Sequence, residues 1–198
     1  MGKTVLETFT IFPFSIVLAL SLGEAFKQTV SEKLDGAIQW DRIPALLTFL
    51  LLVLPFYQGM NRYLLLTYGG ASASTQQYSA VALVLDGAAF MFESALFFAM
   101  SRNLANARWR YFYLIVLALL VVDTLWGFSA LLRPHSETTS SIQGWMWLNF
   151  AFALVLVVLN WKGEKYADRS VAIFGVAAMF VRTTIDYILS WNLYFGSP

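Results

Sequence analysis

The chain contains no cysteine and a single histidine, His135. Without cysteine there are no disulfides and no thiolate metal sites, and the redox compartment leaves no mark. A lone histidine excludes histidine-pair metal sites and bis-histidine haem. Charge is the next shortage. Charged residues make up 13% of the 198, where a soluble domain carries about 25%. The net charge is +1 and no basic face appears, so no nucleic-acid partner is expected.

Apolar residues fill what charge leaves. The sequence is 59% hydrophobic and 17% aromatic, with a mean hydropathy of +0.64. This composition points to the lipid bilayer as the surrounding medium. A hydrocarbon core about 30 Å thick is crossed by roughly 20 apolar residues of helix. Six segments answer to that length: 9–30, 43–66, 79–101, 111–132, 143–161 and 171–195. Runs such as LLTFLLLVLPF and LIVLALLVV do not alternate, which argues against a closed barrel of strands. The expected fold is all-α: a polytopic membrane helix bundle with six transmembrane helices. Residues 1–198 then form one transmembrane domain in the plasma or inner membrane. The first segment is long and interrupted by Glu24, so it reads as a retained span and not a cleaved signal peptide.

Basic residues in short loops set orientation. Segments 27–42, 102–110 and 162–169 hold nine: Lys27, Lys33, Arg42, Arg102, Arg108, Arg110, Lys162, Lys165 and Arg169. The opposite side holds three: Lys3, Arg62 and Arg133. The bias puts both termini outside and the basic loops in the cytoplasm. The outer loops, 67–78 and 133–142, are small and polar. Trp40, Trp109, Trp145 and Trp161 fall at span ends, as an aromatic belt requires. IVLAL recurs at 16–20 and 115–119, and Glu24 then aligns with Asp123. Segment 88–103 also lies plausibly over 177–192, which suggests a 3+3 inverted repeat.

Several ionisable groups stand inside these apolar segments. Glu24, Asp86, Glu93, Asp123 and Asp186 are five acids within the spans. Arg182 lies near mid-bilayer, and Arg62 lies toward the outer end of the second span. An isolated charge at the bilayer centre costs about 2.5–3.5 kcal/mol on insertion scales, so these groups should face the bundle interior. Arg182 and Asp186 are one helical turn apart and can pair. Asp86 and Arg62 are expected at similar depth and form a second candidate pair. Acids still outnumber arginines, so some must be protonated, hydrated or neutralised by a mobile cation. The groups can be structural glue, a hydrated path for cations or protons, or a pocket whose arginine takes an anion. The surplus of acid favours the path over the anion pocket.

The second span contains LPFYQGMNRY. Pro55 and Gly59 weaken its helix, and the amide Gln58 follows close by, so a polar site can form there. Gly87 and Gly175, with their neighbouring alanines, mark close helix approach.

No catalytic motif is present. HExxH, a GxSxG elbow and a phosphate-cradling glycine loop are all missing. Asp86-Gly87 lacks the arginine and trailing aspartates of membrane phosphotransferases that use a DG motif. No lysine lies deep in a span to carry retinal. No enzyme activity, cofactor or bound metal is expected. The expectation is a small multi-pass transporter or channel for a cation or small polar solute, proton-linked through buried carboxylates. Its polar core is Glu93, Asp123, Arg182, Asp186, Asp86, Gln58, Arg62 and Glu24. Six helices make a thin wall, so a homo-oligomer is expected. The alternative is a membrane sensor or scaffold subunit that docks a cytoplasmic or membrane partner through its basic loops.

Overall fold

A computed structural model describes residues 12–30, 38–69, 80–104, 109–133, 139–162 and 168–195. Among them the chain forms seven helices: α1 (Phe12–Thr29), α2 (Ile43–Leu64), α3 (Ala80–Asn103), α4 (Trp109–Leu131), α5 (Thr139–Lys162), α6 (Asp168–Leu189) and the short α7 (Trp191–Phe195). A 3₁₀ turn, Trp40–Arg42, precedes α2, and a π-helical turn, Leu65–Gly69, follows it. The described residues contain no strand beyond one isolated bridge between Val30 and Ile38. The all-α expectation holds. Lys3, Lys33, Arg108, His135 and Lys165 lie outside the described residues, as do the side chains of Lys162 and Arg169 and most of loops 67–78 and 133–142.

Five helical stretches are long and apolar enough to cross a membrane: Trp40–Tyr68, Val81–Asn103, Trp109–Leu131, Ser140–Trp161 and Ser170–Leu189. The 18-residue α1 is not among them. Glu24, Lys27 and Gln28 crowd its last two turns and lower its hydropathy.

Each helix finds its place by contact. α1 packs on α3, α3 on α4, α4 on α5, α5 on α6 and α6 on α2, and α2 returns to α1. The ring is apolar outside, and its largely apolar interior holds the buried ionisable groups. Leu54, Val84, Leu125 and Ile188 are more than half exposed, while Asp86, Glu93 and Asn149 are fully buried. A water-soluble protein shows the reverse arrangement. This inversion is the main physical sign that lipid is the solvent, because hydrocarbon accepts leucine and rejects carboxylate.

The two ends of the bundle differ in charge. At one end Arg42 donates to the Gln28 carbonyl, Arg102 lies 3.8 Å from Glu24, and Arg110 donates to the Asn160 carbonyl at 3.2 Å. These contacts gather the C-termini of α1, α3 and α5 with the N-termini of α2 and α4. Arg62 and Arg133 sit at the opposite end, and both turn toward protein groups.

Two joints lock the helices. Pro55 has no N–H, so the Leu51 carbonyl one turn earlier loses its intrahelical donor. Thr183 of α6 supplies a replacement, its hydroxyl donating to the Leu51 carbonyl at 2.7 Å. Helix α2 therefore runs continuously through Pro55. The second joint is Tyr113. Its hydroxyl lies 3.1 Å from Thr48 Oγ1 and donates to the Ala172 carbonyl at 3.2 Å, so α4 is tied to α2 and α6. The ring fills the notch left by Gly175, where an added Cβ would lie 2.0 Å from Tyr113 Cζ. Gly175→Ala should therefore expel the ring and strand its hydroxyl, at a cost of about 2–4 kcal/mol. Thermal melting in detergent measures this, and an unchanged melting temperature would contradict the joint.

The aromatic belt holds only in part. Trp40 and Trp161 are exposed, 76% and 79%, as interfacial rings should be. Trp109 and Trp145 are buried. Trp145 is drawn inward because its N–H has a buried carboxylate to satisfy.

Candidate functional site

Two polar nodes and a cavity occupy the interior. The first node centres on Asp86 of α3, which is fully buried. Asp86 Oδ2 accepts from Tyr63 at 3.0 Å and from Tyr68 at 2.6 Å. Its Oδ1 accepts from Trp126 Nε1 at 3.0 Å and pairs with Arg133 Nη2 at 2.8 Å. The π-helical turn carries Tyr68 in the stretch after α2 proper ends. A carboxylate with four donors, one of them cationic, is fully satisfied.

The sequence expectation paired Asp86 with Arg62, and the structure corrects it. Successive helical residues point about 100° apart. Tyr63 takes the direction facing Asp86, so Arg62 is turned aside and donates from Nε to the Leu193 carbonyl at 3.0 Å. The cation comes instead from Arg133, just past the end of α4, the helix packed against α3.

The second node joins α4, α5, α6 and α7. Arg182 is 6% exposed and Asp186 is 2% exposed. Arg182 Nη1 pairs with Asp186 Oδ2 at 2.9 Å, the pairing that their spacing predicts. Asp186 Oδ1 accepts from Trp145 Nε1 at 2.9 Å and from Tyr194 at 3.0 Å, with Ser190 at 3.4 Å. Arg182 also donates from Nε and Nη2 to Asn149 Oδ1, at 3.1 and 2.8 Å. Asn149 in turn donates to Asp123 Oδ2 on α4. The amide thus relays between a buried guanidinium and a carboxylate that has no direct cation partner among the described residues.

Glu93 is the exception to this satisfaction. It is fully buried on α3, and neither carboxyl oxygen has a hydrogen-bond partner among the described residues. Asp123 is near enough to act on it electrostatically. Phe90 and Phe97, one turn to either side of Glu93, line a partly open cavity, and Glu93 itself is not among its lining residues. Asp123, Arg182, Asp186, Trp126, Trp145 and Tyr194 line it too, as do Pro55 and Gly59 of α2. An added Cβ at Gly59 would lie 3.3 Å from both Trp145 and Tyr194, so the missing side chain lets these rings approach α2. The cavity has about 40 Å³ of water-accessible room, and one water needs roughly 10–15 Å³.

Four of the expected core residues are therefore brought together: Glu93, Asp123, Arg182 and Asp186. Gln58 lies at the edge of this region and accepts from Tyr187 at 3.4 Å. Glu24 is not part of it. It accepts from Gln28 at 2.6 Å and faces Arg102 at the basic end. Among the described residues no group of acids or histidine could hold a metal ion. The donors Trp126, Trp145, Tyr63, Tyr68 and Tyr194 were not foreseen as site residues. Their signal was available: each is an aromatic with a polar tip at the depth of a buried acid, where that tip must find an acceptor.

No family model matches the chain, and no curated protein or solved structure matches it.

Proposed function

We propose that the protein is a small multi-pass transporter or channel for a cation or small polar solute, with Glu93 and Asp123 as the groups that carry the proton or cation. The observation that supports this reading is the unequal treatment of the buried acids. Asp86 and Asp186 each have an arginine within 2.9 Å and several neutral donors. Among the described residues Glu93 has no hydrogen bond, and Asp123, which lines the cavity, has only an amide donor. Structural glue needs donors, because an unpaired polar group in a low-dielectric interior is a cost. An acid kept there without donors is tolerable when a proton or cation accompanies it.

In this reading α1 is the sixth span, shielded by α3 on one side. The end holding Lys27, Arg42, Arg102 and Arg110 faces the cytoplasm of a plasma or inner membrane, and both termini lie outside. Within the first half α1 packs chiefly on α3, and within the second α4 packs chiefly on α5. The two halves therefore differ in their internal packing. A second copy of the chain would thicken the wall around the cavity.

Reconstitution into liposomes, with flux or current recorded, tests the proposal. Glu93→Gln and Asp123→Asn should each lower flux about tenfold or more while the melting temperature stays near that of the parent. Both substitutions keep side-chain volume and one acceptor oxygen, which for Asp123→Asn can still take the Asn149 N–H, so folding should be little disturbed. Unchanged flux in both variants removes their role. A stoichiometric membrane partner, with no flux from the protein alone, favours the sensor or scaffold reading instead.

A further inference from the structure

We infer that the groove between α3 and α4 is a binding site for one membrane phospholipid, its acyl chain lying in the groove and its phosphate at Arg133. The inference goes beyond the transport reading and does not depend on it.

The groove lies on the lipid-facing side of the ring. Leu85 and Ala89 of α3 line one side, and Val122 and Leu125 of α4 line the other. Leu85 is 56% exposed and Leu125 is 63% exposed. The groove encloses about 280 Å³, against about 40 Å³ for the cavity. Its length suits one leaflet. Val122 and Arg133 both line it and are eleven residues apart on α4 and the turn after it. At 1.5 Å per residue that is about 16 Å. Half of a hydrocarbon core about 30 Å thick is about 15 Å.

The lining becomes polar toward the mouth. Ser129 and Arg133 stand there, at the end of the bundle opposite the basic one. Arg133 pairs with Asp86, but the two are placed differently. Asp86 is fully buried, whereas the Arg133 side chain is 19% exposed. A group arriving from the lipid therefore meets the guanidinium first. Phosphate is the lipid group that a guanidinium binds through charge-assisted hydrogen bonds. A helix from a second copy could cover the apolar sides, but it offers no anion. Among the described residues the acids toward this end, Asp86 and Asp186, are buried.

Trp126 links the groove to the interior, because it lines both the groove and the cavity. Asp86 Oδ1 accepts from Trp126 Nε1 and pairs with Arg133 Nη2. A phosphate that draws on Arg133 thus acts on the oxygen that holds Trp126. Lipid occupancy is coupled in this way to one wall of the cavity.

Trp126 also serves as the reporter. The purified full chain in detergent is titrated with phosphatidylglycerol brominated on its acyl chain, since bromine quenches tryptophan fluorescence at short range. Brominated diacylglycerol, which has the chains and no phosphate, is the comparison. Saturable quenching is expected, half-complete at a phosphatidylglycerol concentration at least about tenfold below that for diacylglycerol. Trp126→Phe should remove the saturable part and leave the gradual quenching of exposed tryptophans such as Trp40 and Trp161. Ala89→Leu fills the groove and changes none of the residues that bond Asp86. It should weaken binding about tenfold with little change in melting temperature. Arg133→Gln should bring phosphatidylglycerol to the level of diacylglycerol. If that variant fails to fold, Ala89→Leu and the comparison of the two lipids still decide the matter.

Only gradual quenching, or equal curves for the two lipids, overturns the inference. So does saturable quenching that survives Trp126→Phe or Ala89→Leu. An unquenched Trp126 in a dimer that Ala89→Leu dissociates overturns it too, and assigns the groove to a second copy of the chain. Absence of flux from liposomes overturns the transport reading and leaves the lipid site standing.

Discussion

Asp86→Ala should cost the fold about 3–5 kcal/mol, among the largest losses for any single substitution in this chain. The carboxylate accepts from Tyr63, Tyr68, Trp126 and Arg133 together. Alanine removes all four acceptor contacts and adds none. Two phenol hydroxyls and an indole N–H, all on buried side chains, then lose their acceptor, each at about 1–3 kcal/mol before any relaxation. Arg133 suffers least, because its side chain is 19% exposed at the end of the bundle and can turn outward. Asp86→Asn keeps the shape and one acceptor oxygen, so it should lose less than half as much. Melting temperature in detergent measures both, and Trp126 provides a local fluorescence signal. Equal losses for alanine and asparagine would mean that the node does not hold α2, α3 and α4 together.

Arg182→Met should be comparably severe, for a different reason. The side chain is 6% exposed and lies well within the apolar stretch Ser170–Leu189. Without it Asp186 keeps Trp145, Tyr194 and Ser190 but loses its cation, and Asn149 loses two donors. Removing one member of a buried pair costs about 3–5 kcal/mol, because the survivor is left charged in a poor solvent. The double variant Arg182→Met with Asp186→Leu removes both charges. It should be less destabilised than the sum of the two single variants, and nearly as stable as the better of them. Strict additivity in the double-mutant cycle would refute direct coupling across the 2.9 Å contact.

Asp86 and Asp186 share a logic that separates them from Glu93 and Asp123. Each node surrounds a carboxylate with one arginine and several neutral donors, and each gathers three or more helices. They act as fixed points of the ring. Glu93 on α3 and Asp123 on α4 have fewer donors: none for Glu93 and one amide for Asp123 among the described residues. A site that must bind and release its guest is better built from such loosely held groups than from saturated ones. Trp126 connects the two regions, since it bonds Asp86 and lines the cavity.

Sequence alone determined the solvent and the secondary structure. A chain this poor in charge, with runs too long and too uniform for strands, has helices in lipid as its physical solution. It also determined that Arg182 and Asp186 pair, because four residues of helix place them on one face. The end of the bundle rich in lysine and arginine was legible for the same reason, since loop positions follow directly from helix ends. Tertiary structure decided everything that depends on which helix neighbours which. Arg133 and not Arg62 meets Asp86, since the ring places α4 against α3 and Tyr63 occupies the facing direction on α2. Trp145 left the interface for Asp186, and Thr183 found the carbonyl that Pro55 had freed. Glu93 was visible as a buried acid, but its lack of a donor among the described residues was not. Hydropathy has a period along one helix and carries no information about rotation against another. In lipid that rotation is fixed by a few polar contacts between distant residues, and only the folded chain brings them together.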